Sequence, residues 1–201
     1  MSALTAIARA LVPATILVAA PALAQSATAD MAKLRSHITS VQSMTANFTQ
    51  TDPRGRSATG SMQLKRPGKV RFAYSGNDLL LVANGKTLTF IDYTVGQKSS
   101  WPLSRTPLGV LLSNSPDLKG RARVIPGNDP RVMTVEARDP TQYGSLRLVF
   151  LRSPSAPGGL QLYGWTAIDA QKKRTTVKLS NVRYNVAVSE SAFTYAEPKK
   201  K

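Results

Sequence analysis

The stretch Lys65-Arg66-Pro67-Gly68-Lys69-Val70-Arg71-Phe72-Ala73-Tyr74 contains a turn between two segments that alternate as β-strands do. Pro67-Gly68 forms the turn, because proline presets φ and glycine accepts a positive φ. After the turn, Val70, Phe72 and Tyr74 alternate with other positions, as in a strand with one buried face. We therefore predict two strands joined by a tight turn at the centre of the fold.

Arg66 has an unusual position in this stretch, because it shares its parity with the apolar residues Met62 and Leu64. If the alternation continues, its side chain points to the apolar side of the sheet. A guanidinium stays charged and needs partners for its donors, so an inward Arg66 requires acceptor groups nearby. The alternative is that the side chain bends to the rim and keeps its charge in water.

The N-terminus has the pattern of a secretory signal peptide. Arg9 is the only charged residue among the first 29, an apolar run follows, and Ala22-Leu23-Ala24 matches a cleavage site. The apolar run is too short for a transmembrane helix. We predict a cleaved signal peptide over residues 1–24 and a single mature domain over residues 25–201.

The composition limits the function classes. The chain has no cysteine, so its fold must be stabilised by packing rather than by disulfides. Its formal net charge of +16 favours anionic partners such as membrane head groups or acidic proteins. A basic surface that is merely solvated is the alternative. We expect no nucleic-acid partner, because the chain is predicted to be exported.

Two helices are predicted. Met31, Leu34, Ile38 and Val41 recur at helical spacing, after a flexible leader over residues 25–30. The second helix begins at Pro107, continues through Leu108–Leu112 and is stopped by Asn114, and it is short and apolar nearly all round. Its threonine-proline start supplies an N-cap and a first helical residue. This short helix is either part of the core or a movable cover.

The rest of the chain predicts one antiparallel sheet, because strand patterns recur at regular spacing with turn signals between them. The predicted strands cover residues 44–49, 58–65, 70–74, 79–83, 87–92, 98–101, 121–125, 132–137, 145–151, 160–168 and 174–184, with a last short strand around Phe193 and Tyr195. The predicted fold is α+β: an incomplete antiparallel β-barrel, or half-barrel, with an N-terminal helix and a short helical lid over an apolar cavity.

Catalytic constellations are missing from the sequence. His37, the only histidine, falls off the apolar stripe of its helix and is predicted to face solvent. We therefore expect no catalytic residue, no metal and no cofactor. A lidded apolar hollow suits the binding of a hydrophobic ligand without its conversion. An enzyme would have to use strand-end carboxylates such as Asp92 or Asp169.

Several stretches, in their order along the chain, resemble the periplasmic outer-membrane lipoprotein carrier family, the LolA type. The resemblance covers most of residues 30–196 and implies a half-barrel carrier. Such a carrier takes triacylated lipoproteins from the inner membrane across the periplasm of a Gram-negative bacterium to the outer membrane. The matching stretches are Met44–Gln50, Lys65–Phe72, Leu81–Leu88 and Thr106–Leu112.

The resemblance also implies roles for residues and partners. Arg66 matches the family's key arginine, which would donate hydrogen bonds to lid-helix carbonyls and keep the empty form closed, as a lid latch. The implied partners are an inner-membrane lipoprotein-releasing ABC transporter and an outer-membrane receptor or anionic outer-membrane surface, with the carrier a monomer. A carrier or sensor for another lipid or amphiphile, on the same half-barrel, is the alternative. The positions that match the acyl-chain cavity are Leu34, Ile38, Leu64, Phe72, Leu81, Phe90, Leu108 and Leu111.

Overall fold

The computed structural model describes residues 21–114, 118–138 and 144–199, with only the backbone described for residues 21–26 and for Pro107, Val110 and Leu111. Most of the predicted signal peptide therefore lies outside the described residues. Within these ranges, no helix combines the length and the apolar character that crossing a bilayer requires.

The described residues form eleven strands and two α-helices, with three short 3₁₀ turns. Helix α1 covers Pro21–Ser40 and helix α2 covers Pro107–Leu112. The 3₁₀ turns cover Leu103–Arg105, Pro157–Gly159 and Glu190–Phe193. The strands are β1 Ser43–Thr51, β2 Ser57–Lys65, β3 Lys69–Tyr74, β4 Leu79–Asn84, β5 Thr87–Asp92, β6 Gln97–Pro102, β7 Ala122–Ile125, β8 Val132–Arg138, β9 Ser145–Arg152, β10 Leu160–Ile168 and β11 Arg174–Tyr184.

All eleven strands belong to one antiparallel sheet of order β6-β5-β4-β3-β2-β1-β11-β10-β9-β8-β7. Every neighbouring pair is consecutive in the chain except β1 and β11, which meet in the middle and join the two halves. Strands β6 and β7 remain edges, so the barrel is incomplete. The predicted half-barrel with an N-terminal helix is confirmed.

The predicted turn lies between β2 and β3, where Lys65 pairs with Lys69. Gly68 has a φ of +72°, and a Cβ there would lie 2.7 Å from the Cα of Gly85 in the next hairpin turn. Glycine is therefore needed for both its conformation and its lack of a side chain. The two turns pack directly against each other.

Both helices cover the inner face of the sheet, whose apolar residues form two clusters. The first joins residues of β1–β3 and β11, among them Phe48 and Val70, to Leu112 of α2. The second joins Leu34 and Ile38 of α1 to residues of β8–β10 such as Phe150. Each helix thus packs mainly on its own half of the interior.

Helix α1 is longer than the sequence predicts, because residues 25–30 are helical rather than a flexible leader. Asp30 forms a bidentate ion pair with Arg152 of β9, with oxygen–nitrogen distances of 2.7 and 2.8 Å. This contact joins residues 122 positions apart, so local sequence patterns give no sign of it. The ion pair fixes the first half of α1 to the sheet.

The C-terminal segment, residues 186–197, covers the outer face of β3–β5. Phe193 is buried there against Leu80, Val82 and Ile91. The predicted last strand around Phe193 and Tyr195 is wrong, because Glu190–Phe193 forms a 3₁₀ turn that packs across the sheet instead of pairing with it. Because the C-terminal segment packs on its outer face, strand β4 (Leu79–Asn84) is covered on both faces.

Candidate ligand-binding site

An apolar cavity of about 340 Å³ lies between the two halves of the inner face, and we call it cavity 1. Phe72 and Leu81 line one wall, Trp165 and Val177 line the other, and Leu108 of α2 lies over it. An apolar cavity of about 150 Å³ suffices to bind benzene in another protein. Cavity 1 therefore has room for a larger hydrophobic group.

A smaller cavity of about 80 Å³, cavity 2, lies deeper, between α1 and α2. Ile38, Leu64 and Arg66 line it. Phe72 and Trp165 line both cavities, and their rings meet edge to face with centroids 5.7 Å apart. The two cavities are thus separated by side chains, which can change rotamer, rather than by backbone.

Arg66 lies on the apolar side of the sheet, as its parity predicts, and contacts the ends of both helices. Its Nε donates to the carbonyl of Val41, the residue after α1, at 2.7 Å. Its Nη1 donates to the carbonyl of Ser113, the C-cap of α2, at 2.8 Å. The adjacent Gly68 N–H donates to the carbonyl of Leu112 at 2.9 Å. The turn that begins at Arg66 therefore satisfies carbonyls that the helix ends leave without intrahelical partners.

The charge of Arg66 is buried at some energetic cost. Burial lowers the pKa of Arg66 to about 10. The guanidinium still carries its proton at neutral pH, so the hydrogen bonds to Val41 and Ser113 are charge-assisted.

Helix α2 has the N-terminal cap that its sequence predicts. The side chain of Thr106 accepts a hydrogen bond from the N–H of Gly109 at 3.2 Å, and Pro107 follows as the first helical residue. At six residues, the helix is too short to be stable alone in water. Its position depends on the contacts of its apolar side chains and on the Arg66–Gly68 turn.

His37 is buried, so the prediction that it faces solvent is wrong. Its Nδ1 donates to the carbonyl of Pro157 at 2.8 Å, and its ring packs edge-on against Phe150 and Tyr184. Burial lowers the pKa of His37, hydrogen bonding to the Pro157 carbonyl opposes this, and the nearby charge of Arg66 adds to the lowering. The histidine is neutral and fixes α1 to the Pro157–Gly159 turn.

The structure brings most of the predicted cavity residues together. Ile38 and Leu64 line cavity 2, Leu81 lines cavity 1, and Phe72 and Leu108 line both. Leu34 instead belongs to the core under α1. Phe90 pairs with Leu81 on the same face but lies outside both linings. The side chain of Leu111 lies outside the described residues.

The sequence reasoning missed both tryptophans of the chain. Trp165 and Ala167 line cavity 1 from β10, and their shared parity is the signal that could have identified them. Trp101 lines the same cavity from the edge strand β6, where it remains 40% exposed. No sequence pattern distinguishes this tryptophan from a surface residue.

The carboxylates that an enzyme would need have structural partners. Asp92 accepts hydrogen bonds from the N–H groups of Thr94 and Val95 at 2.9 and 3.3 Å. Asp169, at the mouth of cavity 1, accepts from the N–H of Lys173 at 2.8 Å. Both side chains stabilise turns. The lining of cavity 1 is otherwise mostly apolar.

A half-barrel with a covered apolar cavity defines a class of proteins that bind hydrophobic ligands. Residues 39–196 match the family described as "Outer membrane lipoprotein carrier protein LolA". The chain belongs to this family.

Two relatives named outer-membrane lipoprotein carrier protein match over nearly the whole chain. The protein of Chromobacterium violaceum is 25% identical over 195 residues, covering 90% of this chain and 88% of its own. That of Chromohalobacter salexigens is 28% identical over 194 residues, covering 90% and 89%. A crystal structure of MucB matches 87% of this chain with 12% identity and a TM-score of 0.44, and the matched region spans only 64% of MucB. A likeness at that level carries no argument about function.

Proposed function

We propose that the protein is a periplasmic carrier, without catalytic activity, that binds the acyl chains of lipoproteins in cavity 1. It would receive them from an inner-membrane ABC transporter and deliver them to the outer membrane. The observation that carries this proposal is an apolar cavity covered by a short helix, with Arg66 joining both helices by hydrogen bonds to Val41 and Ser113.

The energetics of acyl chains favour such a carrier. Each CH₂ group removed from water contributes about 0.8 kcal/mol, so several long chains cannot cross an aqueous compartment unprotected. A closed eight-stranded barrel has room only for side chains or one small ligand. An open half-barrel with a helix over its cavity can enlarge the cavity when that helix moves.

The contacts of Arg66 give a physical reason for release. The charge-assisted hydrogen bond to Ser113, the C-cap of α2, exists only while α2 stays in place, so it favours the closed, empty form. A ligand that requires the open form then binds with an affinity reduced by the cost of opening. Moderate affinity allows transfer to a site that binds the acyl chains more tightly.

The proposal is tested by filling the cavity. Ala167 lines cavity 1, whereas Thr166, the next residue on β10, faces the other side and contacts the Thr176 hydroxyl at 3.3 Å. We expect Ala167→Phe to reduce uptake of a fluorescent fatty acid at least tenfold and Thr166→Phe to leave uptake unchanged. Equal uptake by both variants would show that cavity 1 is not the binding site and would contradict the proposal.

The nature of the ligand requires a second measurement. Native mass spectrometry of the protein purified from the cell envelope should show bound triacylated protein. Free lipid instead would favour a carrier of another amphiphile on the same cavity. Substrate loss over time, abolished by Asp169→Asn, would identify an enzyme and contradict the proposal.

A further inference from the structure

The two halves of the outer face of the sheet differ in how their cations are paired. On the half formed by β2–β6, the C-terminal segment supplies carboxylates: Glu190 lies within 2.8 Å of Lys65 and 2.5 Å of Lys69. Glu197 lies 2.5 Å from Lys98. No described residue covers the outer face of β7–β11 in this way.

The uncovered half carries cations in neighbouring positions, and we call it the basic outer face. Arg123 pairs with Glu136, which pairs with Arg147, so these three side chains lie in one row across β7, β8 and β9. Its exposed cations are Arg121, Arg123, Arg138, Arg147, Arg174, Lys178 and Arg183. With Glu136 as its described carboxylate, these seven cations give a net charge of +6.

Glu136 orients the arginines of this face. Its side chain is only 5% exposed, and its Oε2 accepts from both Arg123 and Arg138 at 2.8–2.9 Å, with Arg147 3.6 Å from Oε1. Burial raises the pKa of Glu136, but the hydrogen bonds and charges of Arg123 and Arg138 outweigh burial and bring the pKa below its ordinary value. The carboxylate therefore stays ionised.

Arg123 and Arg138 still have donors for a partner. Each guanidinium has five N–H donors, and each of these two uses only its Nε and Nη2 groups on Glu136. Their side chains, 62% and 61% exposed, are positioned before any partner arrives, which lowers the entropy lost on binding.

We propose that the basic outer face docks on an anionic lipid bilayer. Its charges lie on or beside β7, β8, β9 and β11, across a width of roughly 20 Å, rather than gathered around one point. This distribution suits many mobile head groups better than a single bound anion. Because salt screens charges beyond about 8 Å at physiological ionic strength, only cations at the contact surface contribute.

One edge of the basic outer face lies beside the mouth of cavity 1. Arg138, Ser145, Ile168 and Arg174 form one cross-strand row along the edge of the basic outer face. Ser145 and Ile168 also line cavity 1. The strand ends that bound the cavity thus carry two of the docking cations, whatever ligand the cavity holds.

Vesicle binding tests this inference with a matched pair of variants. The docking variant is R121Q/R147Q/K178Q, which leaves Glu136 its hydrogen bonds to Arg123 and Arg138. The control variant is K33Q/R35Q/K86Q, which removes the same number of exposed charges from α1 and the β4–β5 turn. The exported protein is sedimented with vesicles of phosphatidylcholine alone or containing one third phosphatidylglycerol, at low and physiological salt.

We expect salt-sensitive binding only to the phosphatidylglycerol vesicles. Each surface cation contributes about fivefold to such binding, so the docking variant should bind on the order of a hundredfold more weakly. The control should stay within a few-fold of the native protein. Unchanged uptake of a fluorescent fatty acid in both variants would show that they are folded and that ligand binding in cavity 1 does not depend on the basic outer face.

Three results would overturn the inference. They are the absence of binding to phosphatidylglycerol vesicles, an equal loss in both variants, and undiminished binding by the docking variant. Tight binding of polyglutamate without vesicle binding would assign the face to an acidic protein and equally reject the bilayer.

Discussion

Replacing Arg66 by leucine should convert a carrier that releases its ligand into one that retains it. Burial lowers the pKa of the guanidinium to about 10, so Arg66 keeps its charge at neutral pH in the closed form. Of its hydrogen bonds to Val41 and Ser113, only the one to Ser113 depends on the position of α2, and it contributes about 1.5–3 kcal/mol net of desolvation. Arg66 therefore favours the closed form by roughly 1.5–3 kcal/mol.

In Arg66→Leu the closed form loses this contribution and incurs a further cost. The carbonyl of Ser113 loses this donor, at about 1–3 kcal/mol, whereas burying leucine returns about 1.5–3 kcal/mol. The balance moves towards the open form by about 2 kcal/mol, which is on the order of thirtyfold in the equilibrium.

Release of a fluorescent fatty acid to acceptor vesicles, followed by stopped flow, measures this effect. We expect Arg66→Leu to load as well as the native protein and to release about thirtyfold more slowly, because affinity changes act mostly on dissociation rates. Trp101 and Trp165, the chain's only tryptophans, line cavity 1 and report occupancy directly.

Arg71→Leu is the matched control. Arg71 lies on the outer face and donates to the carbonyls of Ala192 and Thr194 at 3.2 and 3.1 Å. This variant can lose stability but should release normally. If Arg66→Leu releases at the native rate, or if Arg71→Leu slows release equally, the role assigned to Arg66 is refuted.

Two predictions concern the attachment of α1. Gly158 has a φ of +65° and a Cβ there would lie 2.4 Å from the backbone nitrogen of His37, so we expect Gly158→Ala to lower the free energy of unfolding by roughly 3 kcal/mol. Gly159→Ala, with a φ of +73° and no atom within 4 Å of the added Cβ, should cost only about 1 kcal/mol. Urea titration measures both variants, and equal losses of stability would contradict the contact between Gly158 and α1. Burial lowers the pKa of His37 below 6.5, so the histidine of the unfolded chain takes up its proton first as the pH falls. The free energy of unfolding should therefore decrease below about pH 6.5, by up to about 1.4 kcal/mol per pH unit, until the pKa of the folded state is reached. Urea titrations between pH 7.5 and 5.5 should show this slope in the native protein and not in His37→Gln, and a slope shared by both would exclude His37 as its source.

The sequence predicted features that depend on neighbouring residues. The alternation of Met62, Leu64 and Arg66 placed the arginine on the inner face, and the threonine-proline pair placed the first residue of α2. Both depend on strand parity or on capping, which act within a few residues.

The sequence did not predict features that depend on distant parts of the chain. His37 is off the apolar stripe of α1, and it is buried because the Pro157–Gly159 turn, 120 residues away, packs over it. The alternation of Phe193 and Tyr195 predicts a strand, although Phe193 packs on the outer face of β4 and β5. Alternation records which side chains are apolar but not whether the surface they meet is a neighbouring strand or the face of a sheet.

The unequal attachment of the two helices determines how the interior can change its volume. Helix α1 is fixed by the Asp30–Arg152 ion pair, by the His37–Pro157 hydrogen bond and by its close approach to Gly158. Helix α2 has six residues and rests largely on its apolar contacts and the Arg66–Gly68 turn. Guests of different bulk are therefore accommodated by the distance that α2 moves. The packing under α1 need not be rebuilt for any of them.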